Sequence, residues 1–257
     1  LVFDRLWRQQ GLPEGIERVG RHRCFEFDVG RTTFAMALQR LCRPGSDLQG
    51  SDWLKTVECP GFDNIELHHL YRTAGWFLAR EREEMERELF LRDRDLFSQE
   101  LDLLFIDTTS TYMWRDDETW LRRRGYSRDR RPELPQVVLC VAVDQQGWPI
   151  AWDILPGNTA DKNAFVTMIE KLREQFRIRR VIVVADRGML SKDTVKLLGE
   201  DDDSPFQFIF GCRMRRQKEV SQEVLARAGR YRKVAGNLEV KEVRVDDRRY
   251  VVCRNPE

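Results

Sequence analysis

Two largely apolar segments of the chain each end in an aspartate, and this pattern limits the possible folds more than any other feature. The first runs from Leu101 to Ile106 and is followed by Asp107, and the second runs from Val181 to Ala185 and is followed by Asp186. Short apolar runs of this kind are typical of buried strands. Two carboxylates at the tips of neighbouring strands can share hard divalent cations, which prefer oxygen ligands. The pattern therefore predicts an α/β fold and phosphodiester chemistry.

The order of the predicted elements after residue 100 is that of a ribonuclease-H-like core. The elements are, in chain order, the strands Leu103–Tyr112, Val137–Asp144 and Trp148–Leu155, the helix Lys162–Phe176, the strand Val181–Ala185, the helix Ser191–Leu198 and the strand Phe206–Phe210. The first three strands form an antiparallel meander, and the later strands add in parallel. In such a mixed five-stranded sheet the first strand is central and the fourth pairs beside it. Asp107 and Asp186 are therefore expected to meet at one end of the sheet.

A structural role for these aspartates has to be weighed against a catalytic one. A single aspartate at a strand end more often caps a turn than forms a site. Two aspartates at the matching ends of two strands, with Arg187-Gly188 after the second, favour a catalytic and metal-binding pair. Because two close carboxylates repel each other, a cation is needed to neutralise them.

Three regions are predicted along the chain. Residues 1–100 are interpreted as a helical region that is a candidate for DNA binding or dimerisation, residues 101–211 as the catalytic core, and residues 212–257 as the start of a β-rich insertion. In the helical region Thr32 or Thr33 is the expected cap of one helix, Ser51 starts another, and a third extends from about Asn64 to Phe97. The Glu and Arg residues of the third helix indicate an exposed helix with ion pairs four residues apart.

Composition argues against several other classes of protein. The 44 Lys and Arg residues nearly balance 43 Asp and Glu residues, so net charge alone does not indicate nucleic-acid binding. The six cysteines lack Cys-x-x-Cys spacing, and His22, His68 and His69 lack metal-site spacing, which argues against zinc and favours a reducing compartment. No apolar run is long enough to span a membrane. A P-loop is absent, and Asp107 lacks the second aspartate two residues on that aspartyl-phosphate phosphatases carry.

Arginine is concentrated in the polar connection that follows the first predicted strand. The cluster comprises Arg122, Arg123, Arg124, Arg128, Arg130 and Arg131. Trp114, Trp120 and Tyr126 are interleaved with it, a combination suited to tracking phosphates and stacking an unpaired base. An isolated charge run is usually a solvated loop. Next to a predicted phosphodiester site, this cluster instead indicates a nucleic acid as the partner.

Two further charged residues are secondary candidates for the site. Arg187 directly follows Asp186, and it either contacts a phosphate or pairs with Asp186. Asp161 lies at the expected N-cap of the next helix, and it ranks below the two acids as a site residue. Thr108 and Thr109 are interpreted as strand residues rather than ligands.

Three short motifs occur in order between residues 101 and 200. They are Phe105-Ile106-Asp107-Thr108-Thr109-Ser110, Leu155-Pro156-Gly157-Asn158-Thr159-Ala160-Asp161 and Val184-Ala185-Asp186-Arg187-Gly188-Met189. With this spacing the chain resembles DDE transposases of the IS4 superfamily, most closely the IS1634-like group of bacterial insertion sequences. Each motif is weak alone, and the resemblance extends over roughly the whole chain. It implies that Asp107 and Asp186 are the first two acids of the catalytic triad.

The same resemblance implies a third acid, a glutamate in a helix with the pattern Tyr-x2-Arg-x3-Glu-x6-Lys. Glu219, Glu223, Glu239 and Glu242 lack the tyrosine and arginine at the required offsets. In related transposases a β-rich insertion precedes the glutamate helix, and residues 206–257 resemble the start of that insertion. We therefore expect the chain to be a C-terminally truncated fragment that is inactive alone.

The activity implied by the resemblance is the cutting and joining of DNA at insertion-sequence ends. The implied cofactor is Mg²⁺, with Mn²⁺ as a substitute. The implied partners are double-stranded DNA, as terminal inverted repeats and target, and a second copy of the chain, in the bacterial cytoplasm at the nucleoid. Two alternatives stay open. One is a ribonuclease-H-like nuclease that does not join strands, and the other is a transposase remnant that binds DNA without cutting it.

Overall fold

Five strands form a mixed sheet whose order puts the first strand at the centre. The strands are β1 (Leu103–Tyr112), β2 (Gln136–Asp144), β3 (Pro149–Pro156), β4 (Val181–Ala185) and β5 (Phe206–Phe210). They lie in the order β3-β2-β1-β4-β5. The pairs β1–β2 and β2–β3 are antiparallel, whereas β1–β4 and β4–β5 are parallel. This is the predicted ribonuclease-H-like topology, and each predicted strand is confirmed to within one residue at either end.

The structure is a computed structural model that describes residues 2–77, 79–92, 103–175, 181–198, 206–212, 220–246 and 248–256. The chain divides into two units. The first comprises residues 1–100 and 172–177, and the second comprises residues 101–171 and 178–257. Among the described residues no helix is both long and apolar enough to cross a lipid bilayer.

Alternation along β1 determines which of its side chains are buried. Leu104, Ile106 and Thr108 are buried, whereas Asp107 faces solvent on the opposite side of the strand. Helix α7 (Asp161–Glu174) packs over the buried face, where the Phe165 ring lies 5.4 Å from the ring of Phe210. Complete burial of a side chain such as Phe165 contributes roughly 1.5–3 kcal/mol. The helix therefore covers one face of the sheet and leaves the face with Asp107 open.

Helices α7 and α8 each start within one residue of the position predicted from the sequence. Helix α7 begins one residue earlier than predicted, and its predicted last residue, Phe176, lies outside the described residues. Helix α8 (Lys192–Leu198) is preceded by Ser191, whose hydroxyl accepts a hydrogen bond from the Thr194 amide at 3.1 Å. Ser191, the first residue of the predicted helix, is therefore its N-cap.

The described part of the first unit is helical, as predicted. Its helices are α1 (Val2–Gln9), α2 (Leu12–Gly20), α3 (Val29–Cys42), α4 (Asp47–Leu54), α5 (Leu67–Trp76) and α6 (Ala79–Arg92). One buried cluster gathers Phe34, Leu38 and Phe62, and another gathers Ile16 and Trp76 with their neighbours. These clusters provide the first unit with apolar cores of its own.

Two cap predictions and one helix prediction in the first unit are wrong. Helix α3 is capped by Asp28, which accepts from the Arg31 amide at 2.8 Å, because the hydroxyls of Thr32 and Thr33 bond to carbonyls one turn back. Helix α4 begins after Ser46, which forms a capping box with Gln49. The predicted helix from Asn64 to Phe97 is two helices, α5 and α6, and its predicted end lies outside the described residues.

Charged residues of α6 form ion pairs with residues in or just after α2. Arg18 of α2 pairs with Glu88, and Arg92 pairs with Glu14 of α2 at 3.3 Å. Arg23, just after α2, pairs with Glu81 at 3.3 Å. The charge pattern that indicates an exposed helix with internal pairs therefore also joins α6 to α2.

A second, smaller sheet follows the five-stranded one along the chain. Its strands are β6 (Arg232–Ala235), β7 (Leu238–Val245) and β8 (Arg248–Arg254), antiparallel in the order β6-β7-β8. A five-residue π-helical segment, Val220–Val224, buries Val220 and Val224 against Val243 and Val245. Strands β7 and β8 form a hairpin, and neither β6 nor the π-helical segment was predicted from the sequence.

Candidate active site

The parallel pairing of β1 with β4 brings the two predicted acids together. Ile106 of β1 lies opposite Ala185 of β4, so Asp107 and Asp186 follow at the same level on neighbouring strands. Adjacent strands are about 4.8 Å apart. Ile106 and Ala185 are buried, and the two aspartates that follow them are exposed. The two carboxylates therefore share the solvent-facing end of the sheet.

Gly211 lies next to Asp186 on the far side from Asp107. Its amide donates to the Ala185 carbonyl at 3.2 Å. A Cβ atom added to Gly211 would lie 3.1 Å from the Arg187 amide nitrogen and 3.5 Å from Asp186 Oδ1. The absence of a side chain at Gly211 therefore keeps one flank of Asp186 open. The sequence gives no signal for this role, since Gly211 is separated from Asp186 by 25 positions along the chain.

Asp161 is a third carboxylate at this end of the sheet. Its Oδ1 accepts a hydrogen bond from the Thr108 hydroxyl at 2.8 Å and another from Arg128 Nη2 at 3.2 Å. Its Oδ2 lies only 2.8 Å from the position that a Cβ atom on Gly188 would occupy. Asp161 is thus next to the residue that follows Asp107 and next to the turn that follows Asp186.

The predicted N-cap role of Asp161 is not what the structure shows. Helix α7 begins at Asp161 itself, and the carboxylate contacts β1 and the arginine-rich connection instead of closing its own helix. A negative charge in the first turn is still favourable, because it faces the positive end of the helix dipole. Thr108 is a strand residue as predicted, but its buried hydroxyl also bonds to Asp161. A buried hydroxyl in an alternating apolar strand is the sequence signal for such a partner.

The connection between β1 and β2 is docked on the turn after β3 by close backbone contacts. The Gly157 amide donates to the Leu121 carbonyl at 3.0 Å, and Arg123 and Gln136 exchange two backbone hydrogen bonds of 3.1 and 2.9 Å. A Cβ atom on Gly157 would lie 2.0 Å from the Gln136 carbonyl oxygen and 2.3 Å from that of Arg123. Only glycine fits at Gly157, which is the physical reason for the glycine in the Pro156-Gly157-Asn158 motif.

The buried side chain of Gln136 holds the same two segments together. Its Nε2 donates to the Tyr126 carbonyl at 3.0 Å and to the Gly157 carbonyl at 2.8 Å. Gly125 is also confined, because a Cβ atom there would lie 2.2 Å from the Gly157 carbonyl oxygen. The arginine-rich connection is therefore an ordered platform rather than a solvated loop without contacts. Sequence reasoning did not identify Gln136 or Gly125, because both act through contacts distant along the chain.

Some of the candidate DNA-binding arginines are engaged inside the protein. Arg122 pairs with Asp117 at 2.5 Å, and Arg124 donates to the carbonyls of Glu133 and Asp116 at 2.9 and 3.1 Å. Arg128 Nη2 donates to the Thr108 hydroxyl at 2.6 Å, and Arg128 Nη1 donates to the Thr108 carbonyl. These three guanidinium groups stabilise the connection itself.

The other candidate arginines have fewer partners. Arg131 pairs with Glu133 at 3.4 Å, and its guanidinium lies 5.5 Å from the centre of the Trp114 ring. Among the residues that the structure describes, no side chain or carbonyl bonds to the guanidinium groups of Arg123, Arg130 or Arg187. An ion pair between Arg187 and Asp186, one of the two predicted roles, is therefore not formed. Arg123, Arg130 and Arg187 are exposed and available to an external anion.

Three aromatic residues extend from the connection into solvent. The exposed fractions of Trp114, Trp120 and Tyr126 are 72%, 75% and 87%. Tyr112 packs edge-on against Trp114 with 5.7 Å between ring centres. Exposed aromatic faces beside exposed arginines suit the stacking of an unpaired base.

Cys140 of β2 lies directly opposite Thr108 and is buried under α7. Burial raises the pKa of the Cys140 thiol to about 12, and the negative charges of Asp153, Asp107 and Asp161 add to that rise. The residue is therefore a neutral core thiol rather than a nucleophile or metal ligand.

The described residues do not by themselves complete a metal site. Within the ranges that the structure describes, no group of three His, Cys, Asp or Glu side chains is arranged to hold a metal ion. His68 and His69 lie in α5, where His69 Nδ1 accepts from the Glu66 amide at 3.0 Å, and so have a structural role there.

Several solved transposase structures are similar to this chain at low identity. The piggyBac transposase synaptic complex with hairpin DNA matches at 11% identity and a TM-score of 0.45, with 94% of this chain and 56% of that chain covered. The Mos1 pre-cleavage transpososome matches at 14% identity and a TM-score of 0.28, with 72% and 60% covered. The Drosophila P element transposase strand transfer complex matches at 15% identity and a TM-score of 0.36, with 80% and 47% covered. The chain thus spans about half to three fifths of these solved chains. No curated protein gives a significant sequence match.

A family model adds evidence at the level of sequence. The model described as "Transposase DDE domain" matches residues 98–254. The match extends from the start of β1 through both aspartates to the end of the small sheet, and it covers more than half of the chain. The chain belongs to the Transposase DDE domain family.

Proposed function

We propose that the chain is part of a DNA transposase of the IS4 superfamily, in the IS1634-like group, with Asp107 and Asp186 as two acids of its catalytic site. The observation that carries the proposal is the parallel pairing of Ile106 with Ala185, since it aligns the two aspartates at an exposed sheet end. The Asp-Arg-Gly and Pro-Gly-Asn motifs support the narrower group.

The two carboxylates fit hard divalent cations. They are exposed and adjacent in register, and one oxygen of Asp107 accepts a hydrogen bond from the Thr108 amide at 2.7 Å. We assign both as ligands of Mg²⁺, with Mn²⁺ as a substitute. When bound, such cations supply Lewis-acid stabilisation of the attacking and leaving oxygens of a phosphodiester. Further oxygen ligands must come from outside the described residues, from water or from DNA.

The residues around the acids orient the acids and the DNA. Asp161 fixes β1 through the Thr108 hydroxyl and the arginine-rich connection through Arg128. Arg123, Arg130 and Arg187 are free to bind phosphates, and arginine does so with paired donors. Asp161 is thus a positioning residue rather than a catalytic residue, and Arg122, Arg124, Arg128 and Arg131 serve DNA binding mainly by holding the connection in shape.

The proposed reaction has two steps. In the first, water attacks a phosphodiester at the element end, the bond from phosphorus to the 3′-oxygen breaks, and a 3′-hydroxyl is left. In the second, that hydroxyl attacks a phosphodiester of the target DNA and displaces a target 3′-oxygen. Each step breaks one phosphorus–oxygen bond and forms one, so no covalent link between protein and DNA is required.

The remaining parts of the proposal follow from the resemblance to IS4 transposases. We propose that the helical region of residues 1–100 serves DNA binding or dimerisation, that residues 101–211 form the catalytic core, and that residues 212–257 begin a β-rich insertion. No glutamate among the described residues is assigned as the third acid. The protein would act as a homodimer on paired element ends, in the bacterial cytoplasm at the nucleoid.

A strand-transfer assay tests the proposal. Protein from the complete reading frame is incubated with Mg²⁺, a target plasmid and labelled duplexes that copy the borders of the encoding element. We expect joined products, and we expect Asp107→Asn and Asp186→Asn each to lower joining by at least about 100-fold. Asp116→Asn, which changes an exposed carboxylate in the same connection, is the matched control and should retain activity.

The same assay separates the alternatives. Cleavage without joined product would contradict the transposase proposal and favour a nuclease. Duplex binding without any cleavage, unchanged in the two aspartate variants, would favour a non-catalytic remnant.

A further inference from the structure

One face of the small sheet carries an excess of arginine. Side chains alternate along a strand, so Val243 and Val245 of β7 pack on the π-helical segment while Glu242 and Arg244 point to the other side. Arg249 of β8 lies directly opposite Arg244. Arg232 of β6 lies opposite Val240, which places it on the same side as Glu242 and Arg244. We call this surface the outer face.

Opposite positions on neighbouring strands hold their Cβ atoms only about 5 Å apart, and like charges there repel. Arg244 and Arg249 form such a pair. Glu242 relieves part of this repulsion, because its two oxygens accept from Arg249 Nε at 2.8 Å and from Arg249 Nη2 at 2.9 Å. Glu242 is the sole acid among the described strand residues of the outer face. Three arginines thus surround one carboxylate.

Two of the three arginines have no bonded partner. Within the described ranges no group forms a hydrogen bond or ion pair with the guanidinium of Arg232 or Arg244, and both side chains are exposed. Their positive charges are close enough to act on Glu242, whose pKa is lowered first by the Arg249 hydrogen bond and then by the charges of Arg249, Arg244 and Arg232. The outer face therefore has two unused guanidinium groups and a net positive charge.

The spacing of these groups suits a polyanion with regularly placed charges. Arg232 is level with Val240, and Arg244 is four residues farther along β7. Four residues of a strand extend roughly 13 Å. The major groove of duplex DNA is about 12 Å wide, so the two side chains can reach phosphates on both sides of the groove. Val251 and Cys253 of β8 are exposed on the same face and add apolar surface for sugar atoms.

We propose that the outer face of the small sheet binds the phosphate backbone of duplex DNA through Arg232 and Arg244, with Arg249 restrained by Glu242. This second contact surface deepens the proposed transposase function and rests on it for its ligand. It uses none of the arginines between β1 and β2. Because phosphate contacts carry no base information, the binding is independent of DNA sequence.

Fluorescence anisotropy with a labelled duplex of about 25 base pairs and arbitrary sequence tests this surface, over roughly 50–200 mM salt. The Arg232→Gln/Arg244→Gln variant should bind the duplex at least about 10-fold more weakly. Its salt slope, the decrease in the logarithm of affinity for each tenfold increase in salt concentration, should fall by about 1.8 because two phosphate contacts are lost. The Arg248→Gln/Arg254→Gln variant removes the same charge from the other face of the same sheet. It should keep the wild-type salt slope.

Glu242→Gln should change duplex affinity in the opposite direction. Without the carboxylate, Arg249 is released to the duplex, so affinity should rise and the salt slope should steepen by about 0.9. A loss of folding cannot produce tighter binding. Thermal unfolding of every variant identifies any that fail to fold.

Three results would overturn the inference. The first is wild-type affinity of Arg232→Gln/Arg244→Gln for the duplex, and the second is an equal loss of duplex affinity in both double variants. The third is a variant that keeps its affinity for DNA but loses its affinity for poly-glutamate, a polyanion without phosphates. The assay contains no divalent metal and measures binding without cleavage, so its result does not depend on catalysis at Asp107 and Asp186. Failure of the outer face is therefore distinguishable from failure of the proposed catalytic site.

Discussion

The hydroxyl of Thr108 donates a hydrogen bond to Asp161 Oδ1 over 2.8 Å, and this contact ties β1 to the first turn of α7 beside the acid pair. Thr108 directly follows Asp107, so we expect this contact to hold the part of β1 that carries Asp107 in place. Removal of a residue that supports a metal ligand by hydrogen bonding typically lowers metal affinity or activity by about 10–100-fold.

Thr108→Val should weaken Mn²⁺ binding by about 10–100-fold, because the isosteric valine cannot donate to Asp161. Thr108→Ser keeps the hydroxyl and should restore most of the affinity. Calorimetric titration of Mn²⁺ measures both, and urea unfolding reports stability. Equal Mn²⁺ affinity in Thr108→Val and the wild type would remove the positioning role.

Gly157→Ala should destabilise the protein by about 2 kcal/mol or more, because the new methyl group would collide with two carbonyl oxygens that the connection cannot move without losing its hydrogen bonds. Gly236→Ala is the control, since a Cβ atom at Gly236 meets no atom within 4 Å. Urea denaturation measures both variants. A Gly157→Ala protein as stable as the control would show that the connection is not docked as described.

Arg123→Gln, Arg130→Asn and Arg187→Gln should each lower the salt slope of duplex binding by about 0.9 with little change in melting temperature. Asparagine is chosen at Arg130 because its φ of 59° suits asparagine better than most residues. Arg124→Gln is the contrasting variant, since it breaks hydrogen bonds to Glu133 and Asp116 and should lower the melting temperature. If substitution of Arg123, Arg130 or Arg187 lowered the melting temperature and left duplex binding unchanged, these arginines would have a structural role and the proposed DNA contacts would be wrong.

Cys140 should resist thiol reagents over the whole working pH range. A pKa raised to about 12 means that the thiol stays protonated at pH values well below that, and only the thiolate is nucleophilic. Cys24, Cys42 and Cys253 are exposed and should react at about pH 8 in the native protein. Mass spectrometry after alkylation, with and without denaturant, measures this. Modification of native Cys140 would show that β2 is not covered by α7.

The strands were predictable because their apolar runs are long and bounded by polar residues. The proximity of Asp107 and Asp186 followed from that topology, since each directly follows an apolar run and the ribonuclease-H-like order makes β1 and β4 neighbours. The strand β6 was not predictable, because all four of its residues are exposed and show no alternation of apolar and polar side chains. The pattern around Asn64 to Phe97 hid the break between α5 and α6, because helical spacing continues on either side of Phe77.

The parts of the site that escaped prediction depend on tertiary contacts. Asp161 has the sequence context of a helix cap, but folding brings Thr108 and Arg128 to its carboxylate. Arginine density drew attention to the connection after β1, yet the sequence cannot separate Arg124, whose guanidinium donates to two carbonyls, from Arg123, whose guanidinium does not. The role of Gly157 likewise becomes visible only when the carbonyls of Arg123 and Gln136 are in place.

Electron paramagnetic resonance of Mn²⁺ measures directly whether Asp107 and Asp186 together bind a divalent cation. Bound Mn²⁺ loses the sharp signal of the free ion, so titration of the chain gives affinity without any requirement for catalysis. We expect binding that Asp107→Asn and Asp186→Asn each weaken by at least about 10-fold and that Asp116→Asn leaves unchanged. Equal Mn²⁺ binding by the wild type and all three variants would contradict it.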